Sequence, residues 1–202
     1  MKKIFLLFIP LLSTFLFSSC EFDLNNDNVY DFDSKISELQ DYKGSDIFDV
    51  VDHLKEEGLY VESNDNGVIT MTDNNGSVVY ILYPYNNNKI AEVRFEYYTD
   101  SPTTALDYYG NWHNRAFDLG YSNFYYGEIT YLNYHKDNYN DEYDFINNFE
   151  NYGADIYNCY EEWNSNYNGC RIEYQVLSIS RRVISVNCYY LDKKKLLLSN
   201  KK

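Results

Sequence analysis

Ile90-Ala91-Glu92-Val93-Arg94-Phe95-Glu96-Tyr97-Tyr98 is the stretch that decides the fold. Ala91, Val93, Phe95 and Tyr97 alternate with Glu92, Arg94 and Glu96, a period of two that puts apolar side chains on one face of a strand. A strand wet on its other face belongs to an antiparallel sheet, because parallel strands are covered on both sides. Upstream, residues 68–72 and 77–83 are also strand-forming, and Asn75-Gly76 and Asn86-Asn87-Asn88 supply the turns. These three strands predict an antiparallel meander.

Helical spacing brackets the meander. Residues 32–41 predict a short first helix with Ile36 and Leu39 on one side. Ser45 is suited to cap the next, where Ile47, Val50, Val51 and Leu54 recur until Gly58. Ser101-Pro102 is a cap followed by proline at the first helical position. It opens a helix with the stripe Leu106, Tyr109, His113, Ala116 and Phe117, stopped by Gly120. Residues 142–152 carry Phe145, Ile146 and Phe149 and end at Gly153. Residues 125–134, 156–163, 170–178 and 183–191 read as strands, with Asn168-Gly169 and Arg181-Arg182 in turns. His135-Lys136-Asp137-Asn138 reads as loop. The expected architecture is α+β: an antiparallel sheet meander with about three helices packed on one face.

The chain opens on Lys2-Lys3, an apolar run from Ile4 to Phe17, and Ser18-Ser19-Cys20. A predominantly apolar run of fourteen residues, interrupted by Pro10, is too short for a bilayer span, which takes roughly 20. The segment resembles a bacterial lipoprotein signal peptide, in which small residues precede a cysteine that takes the lipid. The resemblance implies cleavage before Cys20 and lipidation of Cys20; Phe17 departs from the commoner Leu. The acidic stretch Glu21-Phe22-Asp23 behind it is similar to the surface-export signal of Bacteroidota lipoproteins. The organisation expected is a signal peptide over 1–19, a tether over 20–31, one α+β domain over 32–192 and a basic tail over 193–202. The address implied is the outer membrane, in the surface-exposed or the periplasmic leaflet, and the only membrane contact is through the lipid.

The full chain has a net charge of −14; cleavage removes Lys2 and Lys3 and takes it to −16. Such a charge excludes nucleic acid, whose backbone demands a basic face. It favours a basic protein partner. Tyrosine is abundant, with 24 of 202 residues, and rings left over from the core suit sugar or protein contact. Trp112, Trp163, Tyr108 and Tyr126 are the candidate binding face.

Chemistry-bearing motifs are few. His113 lies on an apolar stripe, where a hydrogen-bonded core histidine is the bland reading and a scattered hydrolase site the sharp one. Glu161 and Glu162 are strand neighbours that point to opposite faces and cannot act together. There is no serine-nucleophile elbow, phosphate loop, dinucleotide fingerprint or metal-ligand spacing, so neither catalytic residues, metal nor cofactor are expected. Cys159 and Cys170 lie on either side of the 164–169 turn, as residues facing across a hairpin would, which predicts a cross-strand disulfide, with Cys188 as a buried thiol. The expected function is a non-enzymatic ligand- or protein-binding domain on a membrane anchor. The alternative is an acidic inhibitor or immunity-type lipoprotein that masks a basic toxin or enzyme.

Overall fold

The computed structural model describes residues 34–85, 88–121 and 123–191. Cys20, the 20–31 tether and the 193–202 tail lie outside them. Four α-helices, α1 (Lys35–Tyr42), α2 (Ile47–Glu56), α3 (Pro102–Asp118) and α4 (Glu142–Tyr152), accompany nine strands. The strands are β1 (Tyr60–Asp65), β2 (Val68–Thr72), β3 (Val78–Tyr85), β4 (Lys89–Thr99), β5 (Asn123–Tyr131), β6 (Lys136–Tyr139), β7 (Ile156–Ser165), β8 (Asn168–Ser178) and β9 (Arg181–Tyr190). The fold is α+β with one antiparallel sheet.

The sheet is not one continuous meander. Its order is β1-β2-β3-β4-β9-β8-β7-β5-β6, so the last strand returns to the centre and pairs with β4. Burial explains that placement: Val183, Ile184, Ser185, Val186 and Cys188 of β9 are all enclosed, as a central strand requires. The edges are the polar strands β1 and β6, where Glu62, Asp65, Lys136 and Asp137 discourage pairing with another chain. Both edge strands escaped the expected pattern, and β6 includes residues assigned above to a loop.

Alternation along β4 sorts the sheet into two faces. Tyr80, Phe95, Val186, Ile172, Glu161 and Gly127 form one register row across six strands on the inner face. Helices dock there: Glu38 of α1 accepts a hydrogen bond from the Tyr80 hydroxyl at 2.7 Å, and Trp112 of α3 meets the Phe95 ring edge-on at 5.8 Å. Phe145 of α4 lies over Gly127, where a Cβ would come within 2.5 Å of its ring. The other face is open and polar, with Arg94, Arg171, Glu162 and Glu173 in cross-strand ion pairs.

Local signals hold with small shifts. Asp46, not Ser45, caps α2, accepting from the Phe48 amide at 3.0 Å. Ser101 caps α3 as expected, accepting from the Thr104 amide. Asn168-Gly169 belong to β8; the turn is Asn166-Tyr167, with Asn166 at φ 51.

Candidate functional site

A polar cluster sits inside the domain. Helical spacing places Ala105, Tyr109, Trp112, His113 and Ala116 on the buried face of α3, while Phe117, expected in the stripe, is exposed. Wide Trp112 centres the stripe one residue-column away from Phe117. His113 Nδ1 lies 2.6 Å from Glu161 Oε2, and Nε2 lies 3.5 Å from Glu142 Oε1. Glu161 is fully enclosed, between Ile172 and Gly127 in register. Burial disfavours a charged imidazole, but the hydrogen bond and charge of Glu161, with Glu142 and Glu150, outweigh it and raise the His113 pKa above its ordinary 6.5.

A carboxylate behind a histidine is how enzymes orient a general base. Such a base must offer its second nitrogen to a substrate. Here Nε2 faces Glu142, the residue is 4 % exposed, and Trp163 packs edge-on against the ring at 5.4 Å. Tyr109 and Cys159 share this interior, and burial pushes both groups well up, away from the ionised form a nucleophile needs. The cluster therefore sets an imidazole between two carboxylates, one of them fully enclosed in the core. It is the core histidine of the bland reading, with Glu161 as its partner.

The aromatic face drawn from sequence does not assemble. Trp112 and Trp163 are both 0 % exposed. Trp163 lies opposite Phe124 and Cys170 on the inner face, so its ring is core. Tyr108 is half-buried edge-on to Tyr97 at 5.5 Å. Tyr126 stands on the open sheet face beside Tyr160, its hydroxyl donating to Asn138. A bulge at Tyr125 explains why both members of that tyrosine pair escape the core.

The cysteine pairing is corrected too. Cys159 lies opposite Tyr174 and Cys170 opposite Trp163. Four residues of strand between Cys170 and Tyr174 separate the two cysteines by about 13 Å, far beyond the roughly 7 Å a disulfide spans. All three described thiols are free and buried.

The open concavity lies elsewhere. At the end of β5 and β6, beside α4, a cleft of about 520 Å³ is lined by Tyr131, Leu132, Asn133, Asp137, Asn148, Tyr152 and Asp155. Leu132 donates its amide to the Asp155 carbonyl at 2.8 Å, tying the strand end to the turn after α4. Tyr131 and Tyr152 meet at 87° with centroids 6.0 Å apart, forming two walls of a corner. The Tyr131 ring is backed by His135, stacked at 6.2 Å, which is itself 3.0 Å from Asp137. Asn148, which also lines the cleft, donates its side-chain amide to the Asp144 carbonyl. Burial, then the neighbouring Asp137 and Tyr152, raise the Tyr131 pKa, so its hydroxyl stays protonated and can donate. Sequence periodicity missed this site because its residues come from a strand end, a turn and a helix.

Among the described residues no group of three or more His, Cys, Asp or Glu is placed to hold a metal ion, and no helix is long and apolar enough to cross a membrane. Comparison with protein-family models, curated proteins and solved structures finds no match to this chain.

Proposed function

We propose that this protein is a lipid-anchored binding protein of the bacterial outer membrane, carried on Cys20, whose α+β domain takes up a neutral glycan in the Tyr131–Tyr152 cleft. The cleft carries the reading. Two tyrosine rings set at a right angle give apolar faces for the C–H surfaces of a sugar ring. Asn133, Asp137, Asn148 and Asp155 surround them with oxygen acceptors for hydroxyl groups. Among the described residues no lysine or arginine lines the cleft, so an anionic ligand would find no counter-charge from them there. The volume falls within the range of small-ligand sites, about 300–1,000 Å³. The lipid anchor rests on the signal-peptide resemblance alone.

The test is a glycan array probed with the protein at low and high salt, alongside Tyr152→Ala. Glycan binding that persists at high salt and is lost in the variant supports the reading. Absence of glycan binding, with salt-sensitive capture of a basic secreted protein instead, would replace it with the acidic-inhibitor reading.

A further inference from the structure

Register places Cys170 of β8 directly opposite Cys188 of β9, both on the inner face and both fully buried. They occupy one row, Val93–Cys188–Cys170–Trp163, so the thiols have each other and apolar neighbours on either side. Opposed residues of an antiparallel pair have Cα atoms about 4.5–5.5 Å apart. That lies inside the roughly 4.4–6.8 Å that a disulfide needs. The geometry for a bond is already built into the sheet.

The pair also has a doorway. Lys43, just past α1, and Tyr121, just past α3, both bear electrostatically on the Cys188 thiol. Both line a second cleft of about 390 Å³, with Gln40, Asn168 and Tyr190. Lys43 Nζ donates to Asn168 Oδ1 at 2.9 Å and sits 4.7 Å over the Tyr190 ring, so its ammonium is held at the base of that cleft. The two thiols are electrostatically unequal: hydrogen bonding between them raises Cys170 and lowers Cys188, which the Lys43 charge and Tyr121 lower further against the effect of burial.

We propose that Cys170 and Cys188 are a redox pair that closes into a cross-strand disulfide by exchange with a disulfide reaching them through the Lys43–Tyr121 cleft. In the first step the Cys188 thiolate attacks one sulfur of the incoming disulfide and expels the other as thiolate. Cys170 then gives its proton to that departing thiolate and attacks Cys188 Sγ, releasing the second incoming sulfur. Two protein thiols are oxidised by two electrons; the incoming disulfide leaves as one thiol, carrying the Cys170 proton, and one thiolate, which takes up from solvent the proton that Cys188 released on ionising. Cys159, opposite Tyr174, takes no part. An exported location, proposed above from the signal peptide, would favour the closed form.

The test uses the full chain, reduced and then exposed to oxidised glutathione, alkylated under denaturing conditions and mapped without reduction. Glu161 and Glu162 allow a glutamate-specific protease to separate Cys159 from Cys170. The expected map links the Cys170 and Cys188 peptides and leaves Cys159 alkylated. Closing the pair should also raise the melting temperature by roughly 5–10 °C, and Cys159→Ala should leave both results unchanged. Full alkylation of Cys170 and Cys188 after oxidation, or a link through Cys159, would overturn the proposal.

Discussion

Nδ1 of His113 lies 2.6 Å from Oε2 of Glu161 in the middle of the core, joining α3 to the inner face of β7. A fully enclosed carboxylate costs several kcal/mol unless it is paired, and this histidine is the pair. Removing one partner strands the other. Glu161→Gln should therefore destabilise the domain by about 3–5 kcal/mol in urea unfolding, whereas replacing both residues with leucine should cost far less than the two single changes together. Additive losses would show that the two groups do not interact.

The same pair makes stability depend on pH. The folded His113 pKa is raised, so the folded state keeps a proton that the unfolded chain releases near 6.5. The stabilisation is fully present below that value and declines as pH rises through the folded pKa. Wild type should thus lose stability relative to His113→Gln as pH rises above about 6.5. A constant difference over that range would show that His113 is not protonated in the fold.

Gly127 exists to admit a neighbour. A Cβ there would sit 2.5 Å from Phe145 Cδ2 and 2.9 Å from Phe124 Cζ, both ring atoms that cannot step aside. Gly127→Ala should cost about 1–3 kcal/mol by overpacking. Phe145→Leu in the same chain should recover part of that loss. An undisturbed Gly127→Ala melting curve would place α4 elsewhere.

Lipidation at Cys20 is open to direct labelling. In a lipoprotein-processing bacterium the chain should incorporate an alkynyl palmitate and fractionate with membranes, and Cys20→Ala should do neither. Label retained in the variant would remove the proposed anchor.

Much of the fold was legible where local chemistry is decisive. The 142–152 helix falls on the expected residues, and the Ser101-Pro102 start and the alternating β4 strand behave as their residue types demand. Strand order was not legible, since nothing local says that β9 returns to β4. β1 and β6 were obscured because polar edge strands need no apolar alternation. The cysteine pairing failed on distance from the turn: a hairpin centred on Asn166-Tyr167, as the expected 164–169 turn also is, sets Cys170 against Trp163 and Cys159 against Tyr174. Glu161 did leave a signal. Cys159 and Trp163 flank it at two-residue spacing, so a buried face passes through a carboxylate, and a buried carboxylate calls for a cation such as His113. The Tyr131–Tyr152 cleft left none, because turns bring its walls together from separate elements.

The central claim, a sugar-binding corner between Tyr131 and Tyr152, is tested most directly by NMR of the protein with ¹³C-labelled tyrosine, titrated with neutral oligosaccharides. The account predicts saturable shifts confined to Tyr131, Tyr152 and their neighbour Tyr139. Tyr152→Ala should weaken binding about tenfold or more while leaving unfolding unchanged. Shifts that centre on Tyr126 and Tyr160 of the open sheet face, with Tyr131 and Tyr152 unmoved, would contradict it.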